Sequence, residues 1–223
     1  MFKYFTANTI IELICLGTAV ICLRRDKSLA WRGIIIYLFI ICLTELFAIY
    51  LKKQLHHNNQ WPYNLSIIFE ATFISLLFLN LFNKYFNSKP VILGGLALLL
   101  VIYCYEVKEH HFVLFRDTTN DLLNSTTNDS MSALFSLYSL YYFYLLLKDK
   151  DYINFEFSAN FWWVVGVFFY YFGSTTINLL RDRLTRDYYG FTNTVLVVLV
   201  WIIYGCWSYS FICRRWATTT SNS

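Results

Sequence analysis

The sequence predicts an all-α fold, a polytopic membrane bundle of seven transmembrane helices, and three observations predict it. Hydrophobic side chains make up 57% of the 223 residues. Charged side chains make up 14%, about half the fraction that is usual in a soluble domain. The apolar residues are gathered in runs of about 17 to 22, the length that a helix needs to cross a hydrocarbon core about 30 Å thick. The short alternating runs that are typical of a transmembrane β-barrel are absent from the sequence.

The apolar runs place seven spans along the chain. We expect them at residues 4–23, 33–51, 65–85, 90–105, 131–147, 160–180 and 192–213. The first run is followed by charged residues rather than by a small-residue cleavage site, so we expect it to remain as a helix. Residues 1–215 are therefore expected to form one transmembrane domain, and residues 216–223 a disordered tail.

The fourth span is the shortest and contains two kinds of helix signal. Pro90 suits its first turn, where a missing N–H costs nothing. Gly94 and Gly95 either loosen this helix or let a neighbouring helix approach closely. The one long connection, residues 106–130, follows this span, and a connection of that length is usually functional or disordered.

The orientation is predicted from the basic residues in the short loops. With the N-terminus outside, ten basic residues lie on the cytoplasmic side: Arg24, Arg25, Lys27, Arg32, Lys84, Lys89, Lys148, Lys150, Arg214 and Arg215. Eight lie on the outer side: Lys3, Lys52, Lys53, Lys108, Arg116, Arg181, Arg183 and Arg186. The dense first loop favours this orientation, because the first span usually dominates. We expect the N-terminus outside and the C-terminus in the cytoplasm.

Each of the first three spans contains one carboxylate. Consecutive spans run in opposite directions, and a helix rises about 1.5 Å per residue. Glu12, Glu45 and Glu70 then lie at depths of roughly 12, 9 and 8 Å below the outer surface. The sequence therefore predicts that the three carboxyl groups meet in one layer of the outer leaflet.

Polar residues of other elements are expected in the same layer and complete an outward-facing basin. Tyr63 and Asn64 lie one to two turns before the third acid, and span six contributes Thr175 and Asn178. The predicted ligand-binding set is therefore Glu12, Glu45, Glu70, Tyr63, Asn64, Thr175 and Asn178.

The basin has no basic partner within the spans, since every Lys and Arg is in a loop or at a span end. A carboxylate in a low dielectric remains charged only with a partner and otherwise takes a proton. At least one of the three acids is therefore expected to be protonated, to hold a cation or to meet water. The competing interpretation is that protonated Glu side chains only link helices through hydrogen bonds.

A surface metal site is the weaker candidate in the long connection. Glu106, Glu109, His110 and His111 form an E-x-x-E-H-H pattern whose ligands suit a divalent metal. Plain solvation of these side chains at the membrane surface is the favoured reading. The run of residues 181–187 is likewise read as a solvated turn, with Arg181 or Arg183 covering the basin as the alternative.

Several classes of protein are excluded by missing residues. A retinal protein needs a lysine within a span, and a membrane zinc hydrolase needs histidines there. The sequence has neither, nor a phosphate-binding or dinucleotide-binding motif, so no cofactor is expected. The small positive charge lies in the loops and does not indicate nucleic-acid binding. The six cysteines lie in or near spans without a metal-site spacing and are read as apolar fillers.

The stretch from Asn58 to Asn64, followed by Glu70, resembles a family of uncharacterised bacterial seven-helix membrane proteins. In that family, a polar loop with Asn and Pro enters the third span through an aromatic residue and an Asn or His before a buried Glu. The resemblance implies a bacterial inner-membrane protein and directs attention to Tyr63, Asn64 and Glu70. It implies no activity.

The favoured function is a receptor-like or sensory membrane protein that binds a small cationic or polar solute in the basin. A cytoplasmic or membrane partner would then receive the signal, since the sequence shows no soluble output domain. The alternative is a small proton- or cation-coupled transporter or channel that uses the three acids. An intramembrane enzyme is less favoured because no nucleophile is evident, and a purely structural role in the bilayer stays open.

Overall fold

A computed structural model describes residues 6–55, 60–109, 125–149, 155–181 and 189–220. Of these residues 92% are helical, in seven α-helices and no strand, which confirms the all-α fold. The helices are α1 Ala7–Leu23, α2 Leu29–Tyr50, α3 Gln60–Phe82, α4 Lys89–Glu109, α5 Ser125–Lys148, α6 Ala159–Arg181 and α7 Tyr189–Thr220. A π-helical turn, Leu51–Leu55, continues α2, and a 3-10 turn, Phe155–Phe157, precedes α6.

Five helices are each long and apolar enough to cross a membrane. They are Leu29–Gln54, Trp61–Phe82, Lys89–Glu109, Thr126–Lys148 and Thr194–Ala217. The remaining two differ from these in length or composition. Helix α1 is apolar but has 17 residues. Helix α6 has 23 residues, ends in a run of hydroxyl and amide side chains, and is not among the five.

Two helices extend beyond the bounds that the sequence predicted. The ends of the long connection are helical, because α4 continues to Glu109 and α5 begins at Ser125. Helix α7 continues to Thr220, so residues 216–220 are helical instead of disordered. The ring of Trp216 lies 6.1 Å from that of Phe157, which packs these last turns against the segment before α6. Residues 110–124 and 221–223 lie outside the described part.

The seven helices form a closed ring. Each helix packs against the next one along the chain, and α7 packs against both α6 and α1. Helix α4 contacts only α3 and α5 extensively and is the least buried of the five long spans. Gly95 lets α5 approach there, because a Cβ at this position would collide with the hydroxyl of Tyr138. The close-approach reading of the glycine pair is therefore the correct one at Gly95.

The centre of the ring is filled by aromatic side chains. Seven large ones are less than 2% exposed: Trp163, Trp207, Tyr171, Phe78, Phe82, Phe135 and Phe211. Trp163 and Trp207 stack with their ring centroids 5.9 Å apart, and Phe78 meets Trp163 edge-on at 5.3 Å. Helix association in lipid depends on such close packing, because burial from lipid gives no hydrophobic gain.

One end of the bundle is rich in basic residues, and we call it the basic end. It holds the α1–α2, α3–α4 and α5–α6 connections and the last turns of α7. Its described residues include nine basic side chains: Arg24, Arg25, Lys27, Arg32, Lys84, Lys89, Lys148, Arg214 and Arg215. They include three acidic ones, Asp26, Asp149 and Glu156.

An ion pair closes the ring at the basic end. The guanidinium Nε of Arg214 donates to Asp26 at 2.8 Å, and the backbone N–H of Ser28 donates to the same carboxylate at 2.7 Å. Burial acts to raise the pKa of Asp26, but the hydrogen bonds from Arg214 and Ser28 outweigh it and hold that pKa below its ordinary value. The pair joins the first connection to the last helix.

Candidate functional site

A cavity of about 150 Å³ lies between α1, α2, α3, α6 and α7, away from the basic end. We call it the acidic cavity. Its lining residues are Glu12, Tyr37, Ile41, Thr44, Glu45, Tyr63, Ser66, Glu70, Tyr170, Val200, Ile203, Tyr204 and Trp207. The three predicted carboxyl groups thus lie around one space, contributed by three successive helices.

Helical periodicity explains why these residues share the cavity. On α2, Tyr37, Ile41 and Thr44 to Glu45 recur at intervals of three to four residues, so they occupy one face. The same spacing relates Tyr63, Ser66 and Glu70 on α3, and Val200, Ile203 to Tyr204 and Trp207 on α7. Each helix therefore turns one polar or aromatic stripe toward the same space.

Glu12 is the most buried of the three acids. Its side chain is 7% exposed, and its Oε2 atom has no hydrogen-bond partner within the described residues. Glu12 has a side-chain hydrogen bond with Tyr204, but a buried oxygen that has lost water and found no partner of its own remains unfavourable. This oxygen therefore keeps an unused acceptor site beside the cavity.

The other two acids are held by tyrosines of neighbouring helices. The hydroxyl of Tyr63 donates to Glu45, which links α3 to α2. The hydroxyl of Tyr171 donates to Glu70, which links α6 to α3. Each bond uses one carboxylate oxygen and fixes the position of the acid, and a carboxylate has further acceptor sites for a ligand.

Aromatic rings form much of the remaining wall. Tyr37 stacks on Phe73 with the ring centroids 4.4 Å apart, and it lies 6.1 Å from the ring of Trp207. Tyr204 meets Trp207 edge-on at 5.9 Å. The described lining residues include no lysine and no arginine, so the acids face aromatic rings and hydroxyl groups without a basic partner.

Three residues of the predicted ligand-binding set lie away from this lining. Asn64 is 5% exposed; its backbone oxygen accepts a hydrogen bond from Tyr103 at 3.5 Å, and its side-chain nitrogen is buried without a partner among described residues. The hydroxyl of Thr175 donates to the Tyr171 backbone oxygen at 2.9 Å, the local bond that hydroxyl residues often make in helices. The amide of Asn178 donates to Asp129 of α5 at 2.9 Å. Their ligand-binding roles have no support from position.

The metal candidates do not form a site among the described residues. Glu106 accepts hydrogen bonds from the backbone N–H groups of Thr126 and Thr127 at 3.1 and 3.0 Å, and from the Thr127 hydroxyl at 2.6 Å. It therefore caps the first turn of α5, where unpaired N–H groups attract a carboxylate. The side chain of Glu109 is exposed, and His110 and His111 lie outside the described residues. Within the described ranges, no group of three His, Cys, Asp or Glu side chains could hold a metal ion.

The sequence reading missed the aromatic part of the lining. Tyr37, Tyr204 and Trp207 line the cavity but are not in the predicted ligand-binding set. Steps of four and eight residues back from Glu45 reach Ile41 and Tyr37, so the helical period contained a signal for α2. Helix α7 has no acid from which to start such a count.

Comparisons of the chain with protein-family models, curated proteins and solved structures give no match. The resemblance to the bacterial seven-helix family therefore stays a prediction. Of the two arginines suggested as covers of the basin, Arg183 and the side chain of Arg181 lie outside what the structure describes. The acidic cavity is therefore the feature of the structure that bears most directly on function.

Proposed function

We propose that this protein is a receptor-like membrane protein that binds a small organic ammonium ion in the acidic cavity. The observation that carries the proposal is the convergence of three carboxyl groups on one aromatic space, where one oxygen of Glu12 has no partner among the residues that the structure describes. A cation bound there would supply the missing charge partner. Its positive charge would lie against the Glu12 oxygen and the remaining acceptor sites of Glu45 and Glu70, and any N–H groups would donate to them.

The aromatic wall favours an ammonium ion over a bare metal ion. Rings of Tyr and Trp attract a cation over their faces, and cages of such rings recognise quaternary and methylated ammonium groups. Tyr37, Tyr204 and Trp207 supply faces and edges of this kind. A hard metal ion would instead need several oxygen ligands at short distance. The ligand is therefore expected to combine a positive charge with a small apolar surface.

The floor of the cavity supports binding without an open pore. Trp207 and Tyr37 line the cavity, and the buried rings of Trp163, Phe78 and Phe211 fill the bundle beyond them. A solute in the cavity would meet packed aromatic side chains instead of a polar path. A transporter remains the alternative, and it would have to separate these rings during each cycle.

The charge distribution supports an outward position of the cavity. The described part of the opposite end has nine basic residues, and basic loops are usually cytoplasmic. We infer that the N-terminus is outside, that the membrane is a bacterial inner membrane, and that a signalling partner would contact the basic end.

Binding can be measured with the full chain in detergent micelles or nanodiscs. The probes are tetramethylammonium and methylammonium chloride, with sodium chloride at the same ionic strength as the reference. We expect the ammonium salts to raise the unfolding temperature, and Glu12→Gln to weaken the apparent affinity about tenfold or more, because a charge-assisted contact is lost.

Glu109→Gln is the matched control, since this exposed acid lies outside the cavity and should leave binding unchanged. Equal affinity of the Glu12→Gln variant and the wild type would refute the proposal. Uptake of labelled methylammonium into proteoliposomes that depends on Glu45 would support the transporter instead.

A further inference from the structure

A second cavity, of about 260 Å³, lies at the basic end and shares no residue with the acidic cavity. We call it the basic-end cavity. It lies where the ends of α2, α3, α5, α6 and α7 meet. The residues that matter for its chemistry are Ser28, Asn80, Lys84, Ser158, Asn160 and Arg214.

We propose that the basic-end cavity binds an anion through a phosphate group. The proposal is independent of the ammonium site. Two groups of molecules carry this chemistry, namely anionic lipid headgroups and soluble phosphates. The cavity can meet either one, because it lies at the end of a membrane bundle.

The two cations of the cavity are held in place with donors to spare. Arg214 donates to Asp26 through Nε at 2.8 Å and through Nη2 at 3.3 Å, and its Cζ atom lies 5.3 Å from the ring centroid of Trp31. These bonds use two of the five guanidinium N–H donors. Lys84 donates to Asp149 at 3.3 Å, which uses one of its three donors. The acids position the cations without exhausting their capacity for hydrogen bonds.

Neutral donors supplement the cations. The side-chain amides of Asn80 and Asn160 line the same cavity, and neither has a hydrogen-bond partner in the described segments. Ser28 precedes α2 and Ser158 precedes α6, so the first turns of two helices begin at the cavity wall. The partial positive charge of a helix start adds to the attraction for an anion.

The net charge of the basic end decides whether a ligand of this cavity is an anion or a cation. The opposite charges within the two ion pairs nearly cancel each other. The surrounding described residues, however, bring the total at this end to nine basic side chains against three acidic ones. A cation such as the one proposed for the acidic cavity would be repelled here. The two ends of the bundle are therefore suited to ligands of opposite charge.

The test uses the purified full chain in neutral detergent at constant ionic strength, followed by thermal unfolding. Three additions are compared: inorganic phosphate, phosphatidylglycerol, and diacylglycerol, which has the lipid chains without the phosphate. We expect phosphatidylglycerol to raise the unfolding temperature and diacylglycerol to leave it unchanged. A rise with inorganic phosphate as well would assign the site to the phosphate group itself, and a rise with the lipid alone would assign it to a headgroup.

Variants separate the cavity from the general charge of this end. Lys84→Gln and Asn160→Leu should each weaken the apparent affinity, Lys84→Gln by about tenfold. Lys89→Gln removes an exposed charge at the same end that does not line the cavity, and it should leave the affinity unchanged. Equal effects of Lys84→Gln and Lys89→Gln would overturn the proposal, as would no shift with either phosphate or phosphatidylglycerol.

Discussion

At the scale of single residues, two buried glutamates differ in role because their neighbours differ. Within the described segments Glu12 has an oxygen without a partner beside an aromatic cavity, whereas Glu106 is 4% exposed and accepts from three donors of α5. Both acids are buried in apolar helices. Only the first keeps a free acceptor site among the described residues, because the second accepts hydrogen bonds from the N–H groups of a helix start.

The capping role of Glu106 predicts a loss of stability when it is removed. Glu106→Ala should lower the free energy of unfolding by about 1 to 2 kcal/mol, the range for loss of a helix cap. Chemical denaturation in detergent micelles, followed by helical circular dichroism, would measure the change. Glu109→Ala on the same helix is the control and should change stability by less than about 0.5 kcal/mol. If Glu106→Ala left the free energy of unfolding unchanged, the capping role of Glu106 would be wrong.

At the scale of elements, glycine sets how closely α6 and α7 pack. A Cβ at Gly166 would lie 3.1 Å from the Cβ of Cys206 and 3.2 Å from the backbone oxygen of Ile203. Backbone atoms cannot move aside as a flexible side chain can. The close approach of these two helices also places Trp163 against Trp207 beneath the acidic cavity.

We expect Gly166→Ala to destabilise the protein by about 1 to 3 kcal/mol, because the added methyl group forces the two helices apart. Gly205→Ala on α7 is a matched control, since nothing lies within 4 Å of its added Cβ. That variant should be neutral or stabilising by up to about 1 kcal/mol through helix propensity. Thermal unfolding of both variants in one detergent gives the comparison, and the opposite order of stabilities would disprove the packing argument.

At the scale of the whole molecule, the helices follow their chain order around the ring, and the last returns to the first. The ring is tied at the basic end by Asp26 and Arg214, which are 188 residues apart in the sequence. Because the pKa of Asp26 is held below its ordinary value, the pair stabilises the folded protein whenever the carboxylate is charged.

This linkage predicts how stability depends on pH. The contribution of Asp26 is fully present above its unfolded pKa of about 3.8 and is lost as the pH falls through the lower folded value. Asp26→Asn should cost about 1 to 3 kcal/mol at neutral pH, and the gap to the wild type should narrow as the pH falls below 4. Unfolding temperatures between pH 3 and pH 7 would show this, and a gap that stays constant would contradict it.

The layer that the three acids share could be predicted from the sequence, but the direction in which each side chain leaves its helix could not. The helix rise along alternating spans places Glu12, Glu45 and Glu70 at similar depth, and the structure has them around one cavity. The same reasoning placed Asn178 in that layer, yet its amide donates to Asp129 of α5 and does not line the cavity. Rotation about the helix axis decides this difference. In a membrane bundle both the lipid face and the core face are apolar, so the pattern that fixes rotation in a soluble helix is missing.

The adjacency of α1 and α7 has a consequence for biogenesis. Helix α1, with Glu12, leaves the ribosome first, and α7, which supplies Tyr204 and Trp207 to the same cavity, leaves last. Until α7 has been synthesised, the carboxyl group of Glu12 therefore lacks the packing partners that Tyr204 and Trp207 provide. Insertion of the nascent chain must shelter that acid, in the translocon or as a neutral group, until the final helix arrives.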